Sequence, residues 1–185
     1  ITVSAAISGT NSLARSLRLV ATDKIIINSN ITATDGALNI GLRAEGDVTI
    51  GDNVTVTTRG GTFNVSGSNN TADLFSVLND SAGSYTQSTS AAIDTSGPNN
   101  TAGGAVTIKT AARDPGSGTT TNAKIIIGGD RPTSGGTSTS GGGYAGGAVT
   151  ITATGAGTIS VSSGADIVTT GSAANSGDNA GGAGG

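Results

Sequence analysis

Aliphatic residues recur in this chain after a shift of 23 positions, and that regularity restricts the possible folds more than any single motif. Leu17, Leu19, Ile25, Ile27, Ile31 and Ala33 fall on Ile40, Leu42, Val48, Ile50, Val54 and Val56. A shift of 111 carries Leu38, Ile40, Leu42, Val48, Ile50, Val54 and Val56 onto Val149, Ile151, Ala153, Ile159, Val161, Ala165 and Ile167. The string AGGAVTI occurs at 102–108 and again at 145–151, and Ala-Gly-Gly returns at 180–182. Self-similarity at periods of roughly 20 to 50 residues marks stacked coils, each too thin to bury its apolar face alone.

The residues available for a core agree. There are 32 Gly and no Cys, Met, Trp or His, with two Phe and two Tyr, so the apolar material is Ala, Val, Ile and Leu. Such side chains suit thin β layers. Glycine follows no three-residue period and only three Pro occur, which excludes collagen. Runs at 24–27, 48–50, 54–56, 105–108 and 149–151 alternate as short strands bounded by Gly, Asn and Asp, which distinguishes them from disordered Gly/Ser/Thr sequence.

These patterns predict an all-β, single-stranded parallel β-helix over 1–185, a solenoid of about six coils with irregular Gly/Ser/Thr-rich loop insertions. Coils are expected to begin near Ser16, Ala37, Gly61, Gly104 and Gly147, with another opening near Gly181, after an incomplete first coil. A buried layer is expected around Leu74 and Leu78, and loop excursions at 79–100, 111–122 and 133–143. Double glycines before strands are read as close turns between coils. At about 4.8 Å per layer, six coils span about 29 Å. The chain starts in strand-like ITVSAAIS and stops at Gly-Gly on a repeat boundary, so it reads as a mature product or a piece of a longer chain.

The search for chemistry finds little. Without His or Cys, catalytic triads built on them and their metal sites are excluded. Asp23, Glu45, Asp47 and Asp52, with Lys24, Arg43 and Arg59 nearby, form the one acidic group able to suggest acid–base cleavage of a polysaccharide. Solvated turns account for them more simply. Asp52-Asn53, Asn79-Asp80, Gly129-Asp130 and Asp178-Asn179 offer oxygen donors for calcium, but in no EF-hand or β-roll spacing. The Gly-rich stretch 135–147 has neither GxGxxG nor a phosphate loop. Threonines at 55, 57, 150 and 152 face away from the apolar positions, yet Asn39, Gly41, Lys109 and Ser160 interrupt the regular array that ice binding requires. Tyr85 and Tyr144 are placed in loops, too far apart for a sugar platform. No catalytic, cofactor-binding or metal-binding residue is therefore assigned, no cofactor is implied, and the chain is expected not to be an enzyme.

A formal charge of −3, and the absence of Lys and Arg from Pro132 onward, argue against a nucleic-acid partner. No apolar run is long enough to span a membrane. The pattern at 102–112 and 145–165, with the repeated Ala-Gly-Gly, resembles the shaft of filamentous-haemagglutinin-like exoproteins of two-partner secretion and related β-helical bacterial adhesins. That resemblance implies a right-handed helix and a noncatalytic structural role in an extracellular fibre, adhesin or surface layer whose polar loops meet a glycan or protein. The NPNL and NPNG motifs of the family's secretion domain are missing, so the likeness is to the shaft. Terminal coils that read as uncapped are expected either to continue into further sequence or to assemble end to end with a neighbouring chain. The alternative is a β-helix that binds or cleaves polysaccharide.

Overall fold

The computed structural model describes residues 1–66, 83–111, 123–139, 142–154, 157–173 and 182–184. Within them the chain winds as a right-handed parallel β-solenoid with three faces, visited in the same order on every turn. The first face holds β1 (Thr2–Val3), β4 (Ile25–Ile27), β7 (Val48–Ile50), β10 (Tyr85–Gln87), β13 (Lys124–Ile127) and β16 (Thr158–Val161). The second holds β2 (Ile7–Gly9), β5 (Ile31–Ala33), β8 (Thr55–Thr57) and β11 (Ala92–Asp94), followed by β14 (Arg131–Pro132) and β17 (Ile167–Val168). The third is β3 (Arg15–Ala21), β6 (Leu38–Ala44), β9 (Phe63–Ser66), β12 (Val106–Ala111) and β15 (Val149–Thr154).

On the second face the ladder is interrupted between β11 and β14. Ile93 N–H still donates to Asp130 O at 3.0 Å and Thr95 N–H to Pro132 O at 2.9 Å. Pro132 has no N–H with which to return a bond, so the strands remain neighbours without a complete ladder.

Short strands form because each offers one or two inward aliphatic side chains at period two and is stopped by a corner of small or Asx residues. Vertical pairing turns those side chains into columns. On the first face Ile27, Ile50, Gln87, Ile127 and Val161 stack in one, and Ile25, Val48, Tyr85, Ile125 and Ile159 in the next. On the third face Leu19, Leu42, Val65, Ile108 and Ile151 stack. Ile25, Ile27, Ile31, Ile40, Leu42, Ile50 and Ile108 are wholly buried, each stabilising the fold by about 1.5–3 kcal/mol.

The 23-residue register holds on the first and third faces but slips by two residues on the second, where Ile31 pairs with Val56 and not Val54. Between the paired positions Ile27/Ile50 and Ile31/Val56 the chain after β7 takes two residues more than the chain after β4, and it turns through Asn53 at φ 57°. The 111-residue shift slips on the third face. Ile40 continues through Phe63 and Val106 to Val149, not Ile151.

Two expected loop excursions require correction. Region 79–100 contains β10 and β11, whose inward Tyr85, Gln87 and Ile93 complete a rung; a polar Gln at an inward position had disguised the alternation. Residues 133–139 stay in the stack. Thr133 and Gly135 donate to Val168 O and Thr170 O above, at 2.8 and 2.9 Å, while Gly97 and Asn100 below donate to Ser134 O and Thr137 O at 2.9 and 3.1 Å. Residues 140–141, the excursion at 112–122 and the proposed layer at Leu74 and Leu78 lie outside the described residues, whereas Ala111 ends β12.

Candidate functional site

Asp23, Glu45 and Asp47 lie on the edge joining the third face to the first, in successive rungs, so the sequence correctly groups them. Their environment is that of a corner. Gly46 N–H donates to Asp23 O at 2.5 Å, Ile25 N–H to Asp47 O at 3.0 Å, and Ser84 N–H one rung above to Asp47 Oδ1 at 2.7 Å. Asp52 belongs to a different edge, between the first and second faces, where its carboxylate accepts from Ser88 Oγ. Arg59 sits on the remaining edge with Nε donating to Asp35 O at 3.2 Å. Arg43 is buried, and its Nε donates to Ser66 Oγ at 3.4 Å. Lys24 is exposed. Hence the seven candidate residues are divided among three edges and a sheet face.

Asp47 illustrates a device used throughout. Asn30 Oδ1 accepts from Thr55 N–H at 2.8 Å, Asn39 from Thr62 at 2.9 Å, Asn100 from Thr139 at 2.9 Å and Asp130 from Asp166 at 3.1 Å, always one rung up. An Asx oxygen at a corner, or near a strand's start as for Asn39 in β6, takes a main-chain donor that the ladder leaves over. Asp47→Asn should therefore leave stability nearly unchanged, since Oδ1 remains, whereas Asp47→Ala should cost about 1 kcal/mol in chemical denaturation. A loss from Asn as large as that from Ala would show that charge, not the acceptor oxygen, matters there.

No cluster of three or more His, Cys, Asp or Glu suited to a metal occurs among the described residues. Asp52-Asn53 is engaged with Ser88 and Ser90, and Asp130 with Asp166. Asn79-Asp80 and Asp178-Asn179 lie outside the described residues. The outward column of the first face reads Thr2, Ile26, Thr49, Thr86, Ile126 and Ser160, a hydroxyl row broken twice by isoleucine.

Tyr85 contradicts its expected loop placement. It is fully buried within β10, between Val48 and Ile125. Burial raises its pKa above the ordinary 10.0, with the nearby Arg131 charge and hydrogen bond acting in the opposite direction. Arg131 Nη2 donates to Tyr85 Oη at 3.4 Å, and the guanidinium lies 5.4 Å from the ring centre. Arg131 itself is wholly buried, pointing inward on a face whose equivalent positions are Ile93 and Ile167, and its Nε and Nη1 have no hydrogen-bond partner among the described residues. Gln87 Nε2 donates to Ala91 O at 2.8 Å while its Oε1 has no partner among the described residues. Tyr144 is half-buried on an edge and exchanges backbone and hydroxyl bonds with Ser172.

Nothing in the residue pattern signals this polar group inside an aliphatic column, where inward positions read as aliphatic. Nor does that pattern reveal three buried threonines, Thr58, Thr95 and Thr133, that recur where the second face turns into the third. Their only sequence signal is a Thr preceding the Gly that opens the next coil, at varying distance.

Comparison with protein-family models, curated proteins and solved structures finds no match to this chain. What the geometry supports directly is an all-β solenoid scaffold.

Proposed function

We propose that the chain is a noncatalytic structural shaft of an extracellular bacterial fibre, adhesin or surface layer. The observation carrying this reading is the continuous parallel ladder: six strands of the first face in rung order, over a mainly aliphatic interior, with the Asp47 and Asp52 carboxylates engaged in corner bonds. Main-chain pairing fixes length and resists bending, while polar edge loops are free to meet a glycan or protein. The likeness of its repeats to filamentous-haemagglutinin-like shafts supports the same use.

The test is adherence. Cells or beads carrying the protein should bind a glycan or protein surface, and substitutions in the edge loops should abolish binding without lowering the melting temperature. Turnover of an acidic polysaccharide that disappears with Asp23→Asn, Glu45→Gln or Asp47→Asn would overturn the reading in favour of an enzyme.

Self-association through the terminal coils belongs to the same proposal. Among the described residues, Ile159, Val161, Ile167 and Val168 of β16 and β17 are 50, 49, 41 and 37% exposed, a row of aliphatics along strand edges that no further described strand pairs. Sedimentation should show concentration-dependent association that an Ile159→Glu, Ile167→Glu double variant removes. A monomer at all concentrations would sink this part.

A further inference from the structure

At the edge between the second and third faces, the three buried threonines close the chain on itself in one repeated way. Thr58 Oγ1 donates to Gly61 O at 2.6 Å, Thr95 Oγ1 to Gly104 O at 2.6 Å, and Thr133 Oγ1 to Gly147 O at 2.7 Å. In return Gly61, Gly104 and Gly147 N–H donate to the carbonyl of the same threonine at 3.2, 2.7 and 2.6 Å. Each of these three rungs is thus clasped by a reciprocal pair of bonds. Thr169, above Thr133, continues the column.

The clasped residues are three, nine and fourteen positions apart in the chain. A constant closure over so variable a connection means that the next third-face strand is launched from the same point whatever length lies between, while the longer connections stack on one another. The shortest connection is Arg59-Gly60, both at positive φ (53° and 84°), which is the tightest reversal the site permits. The longer ones pile up outside. Gly136 N–H donates to Thr101 O at 2.9 Å, Asn100 Nδ2 to Thr139 Oγ1 at 2.6 Å, and Ser172 N–H to Tyr144 O at 2.9 Å. None of the residues at 96–104 or 134–147 is charged.

We propose that this edge is the protein's display edge: an insertion site at which segments of unrelated length are presented to partners while the Thr–Gly clasp insulates the solenoid from their content. The shaft reading supplies its biological use, but the physical claim stands or falls on folding alone. An adhesion assay could fail while the clasp behaves as stated, and the reverse.

The experiment uses the full chain. A twenty-residue Gly/Ser peptide carrying a protease site is inserted between Arg59 and Gly60, and in a control between Ser29 and Asn30, where the corner depends on the Asn30 bond to Thr55. Because closure entropy grows only slowly with loop length, about 2 kcal/mol here, the first insertion should lower the melting temperature by only about 4–8 °C while the peptide is cleaved in the folded protein. The control should lose at least about twice that. Thr58→Val should lower melting more in the insertion variant than in the parent, and Thr58→Ser should restore it. Hydrogen exchange at Gly61 reports the clasp should a variant prove too unstable to melt cooperatively. Equal cost at the two corners, or a Thr58→Val effect independent of the insertion, would overturn the proposal.

Discussion

Gly104→Ala is expected to destabilise the solenoid by about 3 kcal/mol or more, a large effect for one methyl group. A Cβ at this position would lie 2.0 Å from Gly61 O and 2.5 Å from Gly61 C. Those atoms are main chain of the rung beneath, so no rotamer change can relieve the overlap. The only relief is to part the rungs and lose ladder bonds on either side. The same column continues at Gly147, whose Cβ would meet Gly104 O at 2.1 Å, and begins at Gly61 over Leu38 O at 2.2 Å. Gly164 is the natural control. Among the described residues nothing lies within 4 Å of its Cβ direction, and its φ of +89° penalises a side chain, so Gly164→Ala should cost about 1 kcal/mol. Urea denaturation of both variants separates inter-rung crowding from backbone preference. Comparable losses would show that the glycine column is conformational rather than steric.

That column explains what was legible beforehand. Ala-Gly-Gly before AVTI stood out because close approach between rungs leaves no choice of residue at Gly104 and Gly147, and inward Val106, Ile108, Val149 and Ile151 repeat because burial admits only aliphatics there. Architecture and five coil starts could therefore be read from the chain. Corner length could not. The extra turn through Asn53 moved the second face by two residues without disturbing the first, since each face has its own vertical register. The strands around Tyr85 and Ile93 were missed because three-residue strands show at most two inward positions, and here one is Gln87. Of the acidic residues, grouping was legible and use was not: whether an Asp oxygen accepts a main-chain N–H from the next rung depends on a neighbour 37 positions away, as for Asp47 and Ser84.

Replacing Arg131 and Tyr85 together, by Ile and Phe, should raise stability by about 1–4 kcal/mol. Arg131 occupies a slot that is Ile93 below and Ile167 above, and its guanidinium is removed from water with Nε and Nη1 unbonded among the described residues. Burying a charge is costly, and a weak 3.4 Å bond to Tyr85 Oη returns little. Arg131→Ile alone should gain less, because it leaves that hydroxyl buried without its donor. The pH dependence provides an independent check. Burial raises the Tyr85 pKa above 10.0, so at high pH the unfolded chain loses the phenol proton before the folded one. Stability contributed by the neutral phenol is complete below about pH 10 and is lost as pH rises from there through the raised folded value. Tyr85→Phe should remove this part of the alkaline decline, measured as the difference between variant and parent unfolding free energies from about pH 9 to 11. Parallel curves would mean that the phenol titrates alike in both states, which a ring enclosed by Val48 and Ile125 does not permit. A double variant less stable than the parent would mean that the buried guanidinium holds the two rungs together more strongly than a hydrocarbon in the same slot.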